Sequence, residues 1–106
     1  MPGSVTMTAT LYHSTRLIHL GVASRIKERR LQVGMTQQQL GRHIGVAFQQ
    51  VHKYEHGLSR VSADCLYQIA TALDAPVSYF FSAENGLLSA EKMVAEQLRL
   101  AIDHVA

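Results

Sequence analysis

Cysteine occurs once, as Cys65, so neither an internal disulfide nor a cysteine-cluster metal site can form. That suits a reducing compartment and leaves Cys65 to pack as a small apolar residue. No run approaches the roughly 18 apolar residues of a membrane span. Met1 to Thr10 lack the basic and apolar regions of a secretory leader, so no membrane partner and a cytoplasmic location are expected. Internal repeats and low-complexity tracts are absent. There is no Gly-rich phosphate loop and no nucleophile elbow, and His13, His19, His43 and His104 show no ligand spacing. No enzymatic activity, cofactor or metal is therefore expected.

What is present is an ordinary globular composition: 106 residues, 47% hydrophobic and 17% charged, enough for one domain with a modest core. The net charge of +2 conceals an asymmetry. Residues 1–60 hold eight Arg/Lys against two Glu, a net +6, and residues 61–106 hold two against six acids, a net −4. Cations gathered on one surface displace counterions from phosphates, so the first half favours a polyanionic partner; a solvated basic helix face gives the same skew.

Residues 1–19 are rich in Thr and Ser without a sustained helical period and read as a flexible arm, with a short extended piece around Thr8 to Tyr12. From about Leu20 to Gln32, Val22, Ala23, Ile26 and Leu31 form the inward face of a first helix, leaving Arg25, Lys27, Glu28, Arg29 and Arg30 mostly outward. Thr36 and Gln39 match a capping box that opens a second helix from Gln37 to Ile44. Gly45 ends it, and about two residues later Phe48 to His56 form a third helix that must cross it steeply. Ser62 caps a fourth, with Leu66, Ile69, Ala70 and Leu73 along one face. Pro76 begins a short turn, Val77 to Phe81, whose Tyr79, Phe80 and Phe81 close the bundle. Ser89 opens a last amphipathic helix, with Val94, Leu98, Ala101, Ile102 and Val105 on one stripe. It either folds back on its own domain or packs against a second copy.

The stretch from Thr36 to Gly57 resembles the helix-turn-helix of the phage repressor and Cro-like (XRE-type) regulators. The likeness covers roughly residues 21 to 81. It includes Arg25-Ile26-Lys27-Glu28-Arg29-Arg30, the Gly-Met-Thr-Gln lead-in at 34–37, Tyr-Glu-His-Gly at 54–57 and Leu-Tyr-Gln-Ile-Ala-Thr-Ala-Leu at 66–73. It implies an all-α fold: a five-helix repressor-like domain over 20–82, preceded by the arm 1–19 and followed by the helical segment 83–106 for packing or dimerisation. It further implies a homodimer that reads a two-fold related operator on double-stranded DNA as a transcriptional regulator. The resemblance also pairs Arg30 with Glu55 as a structural ion pair, and it places Gln37 on a phosphate. Gly41 stands in place of a more usual Ala, Ala47 in place of a capping Ser or Thr, and Asp74-Ala75 in place of Gly-Val.

The residues themselves agree. Leu40, Ile44, Val46, Val51 and Tyr54 are spaced to lock the second and third helices together. Advancing 100° per residue from Val51 puts Gln49, Lys53 and His56 opposite, with His52 and Gln50 flanking. Gln pairs bidentately with adenine and Lys donates to guanine, so Gln49 and Lys53 are the expected base readers. Phe48 either touches a thymine methyl or folds under a neighbouring helix. The expected DNA-binding set is Gln37, Ala47, Phe48, Gln49, Gln50, His52, Lys53 and Arg60, with Arg42 as a weaker phosphate candidate.

Two competing readings exist. His52-Lys53-Tyr54-Glu55-His56 spells the H-x-x-E-H zinc-protease signature, but the chain has few residues left for a third ligand and a cleft, and Glu55 is claimed by Arg30. The alternative is an antitoxin or adaptor that binds DNA through this domain and a protein partner through its last helix.

Overall fold

A computed structural model describes residues 2–81 together with 95, 98–100 and 102, and those residues are helical or irregular, with no strand among them. α1 spans Pro2–Val33, α2 Gln37–Ile44, α3 Phe48–Glu55 and α4 Ala63–Ala72, followed by a single 3-10 turn, Val77–Phe81. None of these helices is long and apolar enough to cross a membrane. The expected helix over 87–106 falls largely outside the described residues. Of its stripe, Leu98 and Ile102 are exposed.

The expected flexible arm is corrected: residues 2–19 continue α1, which at 32 residues is about 48 Å long. Pro2 is tolerated in a first turn, and no other proline occurs before Pro76. A helical run that carries no apolar stripe gives no period to read, and its Thr-rich composition mimics a loop.

The core lies where α1, α2, α3, α4 and the 3-10 turn converge around Val22, Ile26, Leu40, Val51, Ile69, Leu73 and Phe80. On α1, the buried line after Leu20 runs through Ala23 and Ile26 to Arg30, whereas Leu31 is exposed. The inward position at the end of α1 thus belongs to an arginine, four residues after Ile26. Arg25, expected outward, is buried as well. Its Nη1 donates to Glu28 Oε2 at 3.0 Å, and its guanidinium lies 4.8 Å from the centre of the Tyr79 ring. Tyr79 closes the group by donating its hydroxyl to Glu28 at 3.1 Å. Arg29 Nε donates to the Leu73 carbonyl and Nη2 to that of Asp74, at 2.9 and 3.1 Å. The arginine supplies donors to the end of α4, where helix carbonyls lack intrahelical partners. Three of the eight cations of the first half therefore fasten α1 to the rest of the bundle. The aromatic plug is Phe80, fully buried, with Tyr79 packed beside it; Phe81 is exposed.

Candidate nucleic-acid interface

The unit from α2 to α3 is set by local chemistry. Thr36 Oγ1 accepts from Gln39 N at 3.0 Å while Gln39 Oε1 accepts from Thr36 N at 2.8 Å, so two otherwise free donors at the start of α2 are satisfied. Gly45 takes φ 75° and ψ 32°, the left-handed conformation that lets the chain leave α2 within one residue. Val46 N then donates to the Gly41 carbonyl at 2.9 Å. That turn folds back so closely that a Cβ on Gly41 would sit 2.5 Å from the Val46 carbonyl oxygen. Ala47, at the N-cap of α3, makes no side-chain capping bond.

α3 buries Val51 and Glu55 completely, four residues apart, and exposes Gln49, His52 and Lys53 on the other side. Glu55 is held by Arg30, whose Nε and Nη2 donate to its two carboxylate oxygens, the latter at 3.0 Å. Gln37 Nε2 adds a third donor at 3.1 Å, and Arg30 Nη1 reaches the Met35 carbonyl at 2.8 Å. One buried carboxylate thereby ties α1, the start of α2 and the end of α3. At the exit of α3, His19 Nε2 donates to the Gly57 carbonyl at 3.0 Å.

α4 packs behind this unit. Ser62 Oγ accepts from Cys65 N at 3.2 Å, capping the helix. A hydrogen bond from Ser62, with help from backbone N–H groups, lowers the exposed Asp64 carboxyl below its ordinary 3.8. Cys65 lies partly buried against the core. Burial, and then hydrogen bonding with the Cys65 side chain, raises the Tyr54 phenol above its ordinary 10.0; a bond from Gln50 acts the other way.

The expected DNA-binding residues divide accordingly. Ala47, Phe48, Gln49, His52, Lys53 and Arg60 lie at the surface, as does Arg42. Gln37 and Gln50 are half-buried; Gln37 spends a side-chain hydrogen bond inside the domain, on Glu55, and Gln50 lies beside the Tyr54 phenol. Phe48 is 43% exposed. It lines a shallow groove with Met35, Gln37 and Gln38, so its ring is partly sheltered by the start of α2 rather than folded beneath it. Gln38, passed over in the sequence, is exposed in the first turn of α2. Three successive glutamines carry no periodicity that separates the exposed Gln38 and Gln39 from the half-buried Gln37.

A family profile described as helix-turn-helix matches residues 26–80. The chain belongs to the XRE-type helix-turn-helix family. That is a family of DNA-binding transcriptional regulators rather than of enzymes. One relative, an uncharacterized transcriptional regulator in the ATPase CF(0) region of Rhodospirillum rubrum, is 45% identical over 75 residues, 71% of this chain and 66% of that protein. Another, an uncharacterized HTH-type transcriptional regulator of Sinorhizobium medicae (strain WSM419), is 46% identical over 69 residues, 65% of this chain and 50% of its own length. The chain thus spans between half and about two thirds of these relatives. In fold it is similar to the clp gene regulator ClgR from Corynebacterium glutamicum, with a TM-score of 0.57, 20% identity, and coverage of 83% of this chain and 88% of that one.

Proposed function

We propose that this helix-turn-helix chain is a transcriptional regulator that binds double-stranded DNA and reads base edges in the major groove with α3. The observation that carries the reading is the division of that helix. Val51 and Glu55 are fully buried and pinned, while Gln49, His52 and Lys53 stand exposed on a rod that cannot roll. Gln49 and Lys53 match adenine and guanine edges; Phe48 is available to a thymine methyl. Ala47, Gln50 and Arg60, with Gln37 and Arg42, flank that ridge toward the backbone. For Gln37 the internal bond leaves only the remaining amide atoms for DNA. In this reading two copies bind a two-fold related operator with half-sites about 34 Å apart. Repression would follow where the operator overlaps a promoter, and the protein would work in the cytoplasm, where its DNA is. Neither relative's description supports the antitoxin or adaptor alternative.

Selection from a randomised duplex library at two salt concentrations tests this. The reading expects enrichment of a paired motif with centres about one helical turn apart. Binding that falls steeply with salt but enriches no sequence would reduce the role to non-specific attachment.

A further inference from the structure

We infer that His52 and His56 form a chelating site for a divalent late first-row metal ion, of which Zn2+ is the probe. The two residues are four apart, exposed His52 on α3 and half-buried His56 at its C-cap, whose N–H still donates to the His52 carbonyl, so the spacing brings both side chains onto one face. Their imidazoles are already together, with ring centroids 4.1 Å apart and planes tilted by 36°. Imidazole nitrogens bind zinc at about 2.0–2.1 Å, so a shared ion requires one nitrogen from each ring to turn toward a common point. Imidazole suits zinc, copper and nickel.

The surrounding residues define what kind of site this is. Glu55, between the two in sequence, points to the opposite face and is fully buried on Arg30 and Gln37. It can serve neither as ligand nor as base, so the H-x-x-E-H spelling does not make a protease here. No cluster of three or more His, Cys, Asp or Glu ligands occurs among the described residues. Among the described residues the pair therefore supplies two ligands, and the exposed Lys53 beside His52 weakens the site electrostatically. Such a two-ligand site holds its ion loosely and exchanges it with solvent. His52 also belongs to the surface proposed to enter the groove, so occupancy by metal and by DNA should be coupled; this last clause rests on the DNA-reading proposal, while metal binding itself does not.

The test is a Zn2+ titration of the full chain at pH 7.5 without DNA, followed by histidine side-chain NMR. The His52 and His56 signals should move together, saturate at one ion per chain, and return when a chelator removes the ion. His52→Gln and His56→Gln should each weaken binding at least tenfold, whereas His43→Gln, on the exposed side of α2, should leave it unchanged. Static signals from the wild-type pair would overturn the proposal irrespective of how any variant folds, and so would single variants that bind like the parent. Repeating the titration with the selected duplex present separates the two ideas. Intact zinc binding with unchanged DNA affinity would overturn the coupling and leave the metal site standing.

Discussion

Glu55 accepts hydrogen bonds from two segments at once, and its neighbourhood shows how a single buried charge can organise a binding surface. With Arg30 and Gln37 as donors it is satisfied on both oxygens. Such a pair gives little net stability over an apolar core, because desolvation offsets the attraction, yet breaking it on one side strands the other charge. Glu55→Gln should therefore cost about 3–5 kcal/mol in urea unfolding. Arg30→Met combined with Glu55→Leu should recover most of that loss. Equal damage from the single and double variants would show that the bridge, rather than the stranded charge, carries the energy.

Asp64 gives a second residue-scale test, in pH. Its folded pKa lies below the ordinary 3.8, mainly through the Ser62 hydroxyl. The stabilisation it contributes is complete above 3.8 and is lost as pH falls through the lowered folded value. Ser62→Ala should return the carboxyl toward its ordinary range, as followed by side-chain NMR, and remove a cap worth about 1 kcal/mol. An unmoved Asp64 titration would refute the assignment.

At the scale of elements, the crossing of α2 and α3 depends on Gly41, whose Cα faces the Val46 carbonyl of the turn. Gly41→Val adds a branched Cβ against backbone that cannot rotate away, and should destabilise by about 2–3 kcal/mol. It should also weaken DNA binding more than the loss of folded protein explains, because α3 would be displaced. A variant with parental melting and binding would mean that the turn relaxes freely. The elements most legible in the sequence are those made by neighbours in the chain: the Thr36–Gln39 box, the Gly45 turn and the Ser62 cap each depend on residues within a few positions. Less legible is the direction of polar side chains, which a distant partner decides. Arg25 turns in because Tyr79 receives it, Gln37 because Glu55 does, and Leu31 is left outside as a consequence of Arg30 taking the inward place. The same limit applies at the candidate site. Gln49 and Lys53 are placed outward by their angle from Val51, a purely local argument, while the half-burial of Gln50 beside Tyr54 depends on the folded surroundings.

For the whole molecule, charge has to be recounted after folding. Arg25, Arg29 and Arg30 are engaged within the bundle, and Arg16, Lys27, Arg42, Lys53 and Arg60 are exposed. If Arg42, Lys53 and Arg60 meet the DNA, the logarithm of affinity should fall with that of salt with a slope of about −3 per protomer, smaller than the +6 of residues 1–60 suggests. A slope near −6 per protomer would require α1 to touch the duplex and would relocate the interface. The most direct measurement concerns the exposed ridge of α3: affinities of the parent, Gln49→Ala, Lys53→Ala and the double variant for the selected operator and for operators altered one base pair at a time. Each variant should lose about 1–3 kcal/mol on the parent site and become indifferent to one base pair, while keeping the parent's salt slope within about one unit. A double variant that still ranks the altered operators as the parent does would contradict base reading by this helix.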